Sequence, residues 1–284
     1  MDYNRLRATP GRSVALEAYD PADTCGYQSK KDAVEKLQTD IALLEDLQDV
    51  LSAQGRNAVL IIFQGMDTSG KDGAVKHVMS GVNPVAVNVY PFRAPSEEER
   101  RHDFLWRCSR VLPERGRISI FNRSYYEDVI VTRVHPALLS LPQTDPPAEF
   151  WKARYRAINA FEQHLTDEGT LVLKFFLHLS KKEQTKRLSA RIGDAGKQWK
   201  VSVSDLKERT FWDDYMRAYE KALHETSTEA APWYVIPADH KYVARVNIAG
   251  IIVERLRALG MSYPTLTPEV ARAVKEAGAA ALAE

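Results

Sequence analysis

The sequence predicts an α/β protein: one open, mostly parallel sheet covered by helices on both faces. Two observations carry this. Ala58–Phe63 and Thr170–Leu177 are short, almost continuously apolar runs, the habit of strands buried on both sides. Such runs alternate with segments of helical periodicity, and no internal repeat breaks the order. The 284 residues, 44% hydrophobic and 27% charged, suffice for a sizeable core and exclude a disordered or fibrous chain. The reading is one domain over 1–284, with an N-terminal arm at 1–25, a lid at about 181–212 and a C-terminal tail at about 263–284.

Each element follows in order. The arm holds Pro10, Gly11 and Pro21 and shows no period. From about Lys30, Leu37, Ile41, Leu44, Leu47 and Leu51 recur at helical spacing, and Gly55 stands where a left-handed cap ends the helix. After the first strand a Gly-rich turn at 65–73 enters a helix to about Gly81, and a short strand follows near Val85–Tyr90. Ser96-x-x-Glu99 is a capping box that opens a helix through Trp106. Arg117–Phe121 is the next strand, and Pro136 to Pro147 a long surface loop. A helix over Phe150–Leu165 precedes the strand at Thr170–Leu177, and Ser180-x-x-Glu183 caps another helix. Pro232–Pro237 is the last strand, and Ile248, Ile251, Ile252, Leu256 and Leu259 mark the closing helix.

The charge balance, 39 Lys+Arg against 38 Asp+Glu, argues against a dedicated nucleic-acid binder and confines any polyanion site to a local patch. Two cysteines, Cys25 and Cys108, lie outside any metal or redox spacing, which fits a reducing compartment. No basic-then-apolar leader opens the chain, and no apolar run nears the roughly 18 residues of a membrane span. A soluble, cytoplasmic protein without a membrane partner is expected. The seven histidines show no zinc-binding spacing, and no Gly-x-Ser-x-Gly elbow is present.

In open parallel sheets, ligands bind beyond the carboxyl ends of the strands. Beyond the first strand the chain reads Gly65-Met66-Asp67-Thr68-Ser69-Gly70-Lys71-Asp72-Gly73. The spacing Gly65-x4-Gly70-Lys71 between a buried strand and a helix is that of a phosphate-binding loop. Its glycines let successive N–H groups face an anion, the helix N-terminus adds partial positive charge, and Lys71 adds a full one. The alternative is a Gly-rich turn that binds nothing. Asp72 stands where a Mg²⁺-binding hydroxyl is usual, and Asp67 lies inside the loop. A carboxylate among phosphates needs a divalent cation between them. Asp67 is therefore a metal ligand or an acceptor-orienting base, against the alternative of an Asx turn.

Beyond the strand at 117–121 comes Asn122-Arg123-Ser124-Tyr125-Tyr126-Glu127-Asp128-Val129. Phosphoryl transfer needs a carboxylate at such a strand end for Mg²⁺ and cations for the moving charge. Arg123 supplies a rigid two-pronged donor, and Glu127 and Asp128 supply carboxylates. If a helical turn starts here, Arg123 and Glu127 are i,i+4 and share a face, which also admits a purely structural ion pair. From Lys181 to Lys200, seven basic residues (Lys181, Lys182, Lys186, Arg187, Arg191, Lys197, Lys200) face two acids, a local charge of +5. Gly193 and Gly196 give that run a flexible tip. It reads as a solvated helix face or as a mobile lid over a polyanionic substrate. Lys76 and His77, on the helix after the phosphate loop, extend the same track.

These motifs together resemble the polyphosphate kinase 2 family. The resemblance rests on Phe63–Gly73, Gly81-Val82-Asn83-Pro84, Phe121–Val129 and Ala231-Pro232-Trp233-Tyr234-Val235-Ile236-Pro237, in the family's order from about residue 16 to 262. It implies a P-loop kinase-like three-layer α/β/α fold with a helical lid. It also implies Mg²⁺-dependent phosphoryl transfer, with Mn²⁺ as a substitute, between inorganic polyphosphate and adenine nucleotides, guanine nucleotides being admitted. Asp67 and Asp128 are then metal ligands, and Lys71, Arg123 and Glu127 complete the catalytic set. Gly65, Met66, Thr68, Ser69, Gly70, Asp72, Gly73 and Asn83 bind phosphate or nucleotide. Lys76, His77, Arg133, Arg187, Arg191, Lys197 and Lys200 are polyphosphate or lid contacts. Asn122-Arg123-Ser124 with Glu127-Asp128 resembles the class III branch, which phosphorylates both AMP and ADP. Family members imply a homodimer or homotetramer. An ATP-donor nucleotide kinase and a non-catalytic polyanion binder stay as alternatives.

Overall fold

The structure, a computed structural model, describes residues 2–139, 146–200 and 202–281, with backbone alone at Lys200, Asp205 and Ala280. Part of the predicted Pro-rich loop therefore lies outside the described residues. Five strands, β1 (Ala58–Gln64), β2 (Val87–Pro91), β3 (Ile118–Asn122), β4 (Thr170–His178) and β5 (Trp233–Pro237), form one sheet in the order β2-β3-β1-β4-β5. Every pairing is parallel, with Ile61 of β1 level with Ile120 of β3 and Leu173 of β4. All residues of β1 and β4 are buried, as a sheet covered on both faces requires.

Alternation along the strands divides the core. Val59, Ile61 and Phe63 of β1, with Leu171, Leu173 and Phe175 of β4, face α1 (Lys30–Gln54), α2 (Lys71–Val78) and, further along the chain, the long helix Lys241–Arg257. Leu60, Ile62, Val172 and Phe176 face the opposite layer. The elements between β2 and β3 are the one-turn helices α3 (Glu97–Arg100) and α4 (Trp106–Ser109). The opposite layer is α5 (Glu127–Val134), α6 (Ala148–Asp167) and, beyond the segment formed by α7 (Lys181–Ile192) and α8 (Val203–Glu208), α9 (Trp212–Thr226). The chain continues with α10, the helix at Lys241–Arg257, and α11 (Pro268–Ala281).

Local signals act where the sequence places them. Ser29 caps α1 by accepting from Asp32 N–H, and Gly55 ends it at φ +59°. The Ser96–Glu99 capping box is complete, but its helix stops at Arg100. The single helix expected through Trp106 is two turns, because Asp103 takes the Leu105 N–H on its side chain and the Trp106 N–H on its carbonyl, starting a new turn. The arm is packed rather than loose. Tyr3, Leu6, Ala8, Val14 and Leu16 are buried, and Ala8 N–H donates to Trp233 O at 2.9 Å, covering the free edge of β5. No helix among the described residues is long and apolar enough to cross a membrane.

Candidate active site

The carboxyl ends of β1 and β3 converge at the point where strand order reverses, and the predicted loop lies there. Gly65 has φ +147°, and a Cβ on it would sit 2.9 Å from Leu177 O and 3.0 Å from Ser69 Oγ, so a side chain is excluded on two counts. Gly70, at φ +106°, is the N-cap of α2, leaving the first amides of the helix turned toward the loop. Thr68 Oγ1 and Ser69 Oγ are buried with no hydrogen-bond partner among the described residues. Those orphaned hydroxyls beside free amides suit a group rich in acceptor oxygens. Lys71 is buried and donates to Gly65 O at 2.6 Å and Met66 O at 3.2 Å. Burial, with Arg123 nearby, brings its ammonium down to about 8.

Arg123 leaves β3 at φ +65° and extends its guanidinium to Asp67 Oδ1 at 2.7 Å. Its N–H is held by Phe63 O at 3.0 Å. The expected Arg123–Glu127 helix face does not form, because α5 begins only at Glu127 and Arg123 sits in the left-handed region before it. Glu127 is instead a separate carboxylate whose pKa burial raises, against the pull of Arg123 and Lys71. Asp128 is bracketed by Arg154 Nη1, 2.9 Å from its carbonyl and 3.4 Å from Oδ1, and by Arg107 at 4.0 Å. Its pKa is nonetheless raised by burial. Asp72 accepts from Asn122 Nδ2 at 2.7 Å, tying the start of α2 to the end of β3.

Asp67, Arg123, Glu127 and Asp128 line one cleft of about 840 Å³, together with Gly65 and Met66. Its walls add Arg107, Arg154, Phe104, Leu139, Tyr215 and Tyr219, and Ser204 and Glu208 reach it from α8. His135 and Tyr215 both hydrogen-bond Glu208 Oε2, at 2.7 and 2.6 Å, and so hold α8 over the opening.

Other predicted residues lie elsewhere. Arg187 is buried beneath the loop and donates to the carbonyls of Thr68, Ser69, Ala238 and Asp239, so it braces the loop instead of presenting its charge to solvent. Gln184 adds a bond to Asp67 O at 3.1 Å. Arg133 stacks on Trp151, its guanidinium 5.2 Å from the ring centre. Asn83 caps the turn at 84–86 by accepting from Val85 N–H. His77 Nδ1 is hydrogen-bonded to Gly73 O within α2, and Lys197 is paired with Asp194. Lys76 is exposed on α2, Arg191 is half-buried on α7, and the Lys200 side chain lies outside the described residues. Arg107, Arg154, Glu208 and Tyr215 escaped the sequence reading because they meet the site from separate helices, with no shared spacing.

Among the described residues no group of three or more His, Cys, Asp or Glu side chains forms a preassembled metal cage. One carboxylate beside a phosphate loop is the arrangement by which Mg²⁺ is held jointly by protein and substrate, and Asp67, flanked by unpartnered hydroxyls, fits it. Asp128 also lines the cleft, with Arg154 and Arg107 at 3.4 and 4.0 Å from its carboxylate, but stands outside the loop.

A strand-ended phosphate loop, a buried lysine and a neighbouring cleft that gathers carboxylates and guanidinium groups define a P-loop kinase-like phosphotransferase. The chain belongs to the polyphosphate kinase 2 family, whose model matches residues 27–262. It is 51% identical over 269 residues to the ADP-polyphosphate phosphotransferase of Rhodopseudomonas palustris, covering 93% of each chain. It is 44% identical over 268 residues to the AMP/ADP-polyphosphate phosphotransferase of Meiothermus ruber, covering 94% of this chain and 97% of that one. The crystal structure of polyphosphate kinase 2 from Arthrobacter aurescens superposes with a TM-score of 0.87 at 41% identity, over 95% of this chain and 94% of the other.

Proposed function

We propose that this protein transfers the terminal phosphoryl group of inorganic polyphosphate to AMP and ADP, giving ADP and ATP. The observation that carries the reading is the seat of Asp67 and Arg123. Both stand between the phosphate loop, with its unpartnered Thr68 and Ser69 hydroxyls, and a cleft large enough for a nucleotide. The similarity to an ADP-polyphosphate and an AMP/ADP-polyphosphate phosphotransferase supports the donor and both acceptors.

The loop amides, Lys71 and the hydroxyls of Thr68 and Ser69 receive the end of the donor chain. In the cleft, Arg123, Arg107 and Arg154 offset the charge of the acceptor phosphate. Transfer is in-line: an acceptor phosphate oxygen bonds to the terminal phosphorus while the bridging P–O bond breaks, and its electron pair stays on the shortened polyphosphate. The attacking oxygen is already anionic near neutral pH, so no strong base is needed; positioning and charge stabilisation supply most of the catalysis. Asp67, with Asp128 as a second ligand, would hold Mg²⁺, whose charge offsets the repulsion between donor and acceptor phosphates. The loop segment from α7 to α8 closes over the bound chain in this reading.

The test is product analysis with AMP, Mg²⁺ and long-chain polyphosphate. ADP followed by ATP is expected. ATP from ADP with nothing from AMP would keep the donor and remove AMP phosphorylation. Transfer from ATP but none from polyphosphate would overturn the reading.

A further inference from the structure

Lys174 sits in the middle of β4, fully buried, level with Ile62 of β1 and Trp233 of β5. All three of its ammonium donors are used: on Glu162 Oε2 at 2.6 Å, Thr226 O at 2.7 Å and the Tyr126 hydroxyl at 3.0 Å. Glu162, also buried, accepts on its other oxygen from the hydroxyls of Tyr125 and Tyr126, both at 2.8 Å. A buried ion pair in a core strand is no more stabilising than an apolar pair of equal volume. Its hydrogen bonds here have a particular destination. Tyr125 and Tyr126 belong to the turn between Arg123 and Glu127, which joins β3 to α5.

We infer that the Lys174–Glu162 pair is a positioning device for the reaction, acting through the Tyr125 and Tyr126 hydroxyls to hold Arg123 and Glu127 in the cleft. The inference rests on the phosphotransfer reading above. Arg123 adopts φ +65°, a conformation that a residue with a side chain takes only when its surroundings impose it. In front, the turn is tied to β1 by Arg123 N–H on Phe63 O at 3.0 Å and by Ser124 Oγ, which accepts from Gln64 Nε2 at 3.4 Å. Behind, its anchors to α6 and β4 include the two hydroxyls on Glu162. Removing them frees the back of the turn without touching a group that meets substrate.

The test is the Tyr125→Phe/Tyr126→Phe variant, with Ile158→Val on the same face of α6 as a control for lost core packing. The pair of phenylalanines is expected to lower kcat about tenfold, while KM for polyphosphate changes less than about threefold. Amide exchange at residues 123–127 should accelerate about tenfold, with α2 and β1 unchanged. Ile158→Val should leave kcat at the wild-type level. Should the double variant fail to fold, Tyr126→Phe alone is read the same way. Wild-type kcat and wild-type exchange in the phenylalanine variants would overturn the inference, as would an equal loss of kcat in Ile158→Val. The exchange measurement needs no polyphosphate. Faster exchange at 123–127 in a protein inactive toward polyphosphate would keep the positioning role and reject the donor; unchanged exchange would reject the positioning role.

Discussion

Asp67 illustrates how much a single side chain decides here. It is a carboxylate inside a phosphate loop, held by Arg123 at 2.7 Å and facing the cleft. Asp67→Asn keeps the shape and removes the charge, so the fold should persist while turnover falls roughly 10³-fold, the order expected for losing a preorganised electrostatic contact. Wild-type turnover with an unchanged thermal midpoint would remove Asp67 from the mechanism. Lys71 makes a pH prediction. With its pKa at about 8, the free protein loses the attracting charge above about pH 8. kcat/KM for polyphosphate should therefore decline from there, and a profile flat to about pH 10 would show that this charge does not serve donor binding. As with a carboxylate held below its usual range, stability here rises with pH. The unfolded lysine binds its proton more tightly, so the cost of burying the ammonium is fully present below about pH 8 and is relieved as pH rises toward 10.5. Much at this scale was legible in the chain. Gly65, Asp67, Gly70 and Lys71 lie within one short loop, where spacing alone implies proximity. Arg187 was legible as a cation but not as a brace, because its acceptors are main-chain carbonyls of segments 50 and more residues away, and carbonyls leave no trace in composition.

Among the elements, the helix α10 and the arm depend on each other. Gly250 lies in the interior of α10, where alanine would ordinarily favour the helix by about 1 kcal/mol. A Cβ there would fall 1.8 Å from the Tyr3 hydroxyl, so the aromatic ring of the arm occupies the space the side chain would need. Gly250→Ala is expected to destabilise the protein by about 1–3 kcal/mol, the usual range for overpacking, and in a Tyr3→Ala background, where the ring is gone, the same substitution should cost much less. Thermal unfolding of the two single variants and the pair checks this; a stabilised Gly250→Ala would show that the arm does not pack there. Here the sequence was less explicit. Helical periodicity and caps placed α1, and continuous apolar runs placed β1 and β4. The arm, lacking any period, revealed nothing of its seat, because that seat includes Gly250 and β5, more than 200 positions away. The helix expected from Ser96 to Trp106 failed for a local reason, the competing turn at Asp103.

At the level of the whole molecule, parallel order β2-β3-β1-β4-β5 brings three strand ends to one edge and leaves the loop, the Arg123 turn and the α7–α8 segment to meet there. The fold class followed from alternation, but the strand order could not, since register depends on contacts that no short stretch encodes. A net charge of +1 offers no global attraction for a polyanion, so in the proposed reading affinity for polyphosphate comes from short-range groups, the loop and the cleft arginines, with any cation held at Asp67 adding to them. The most direct test is donor identity: polyphosphate labelled with ³²P is mixed with ADP and Mg²⁺, with labelled ATP and AMP as the parallel reaction. Label is expected in the γ-phosphate of ATP from polyphosphate, abolished by Asp67→Asn. Label passing to AMP from ATP while polyphosphate donates none would contradict it.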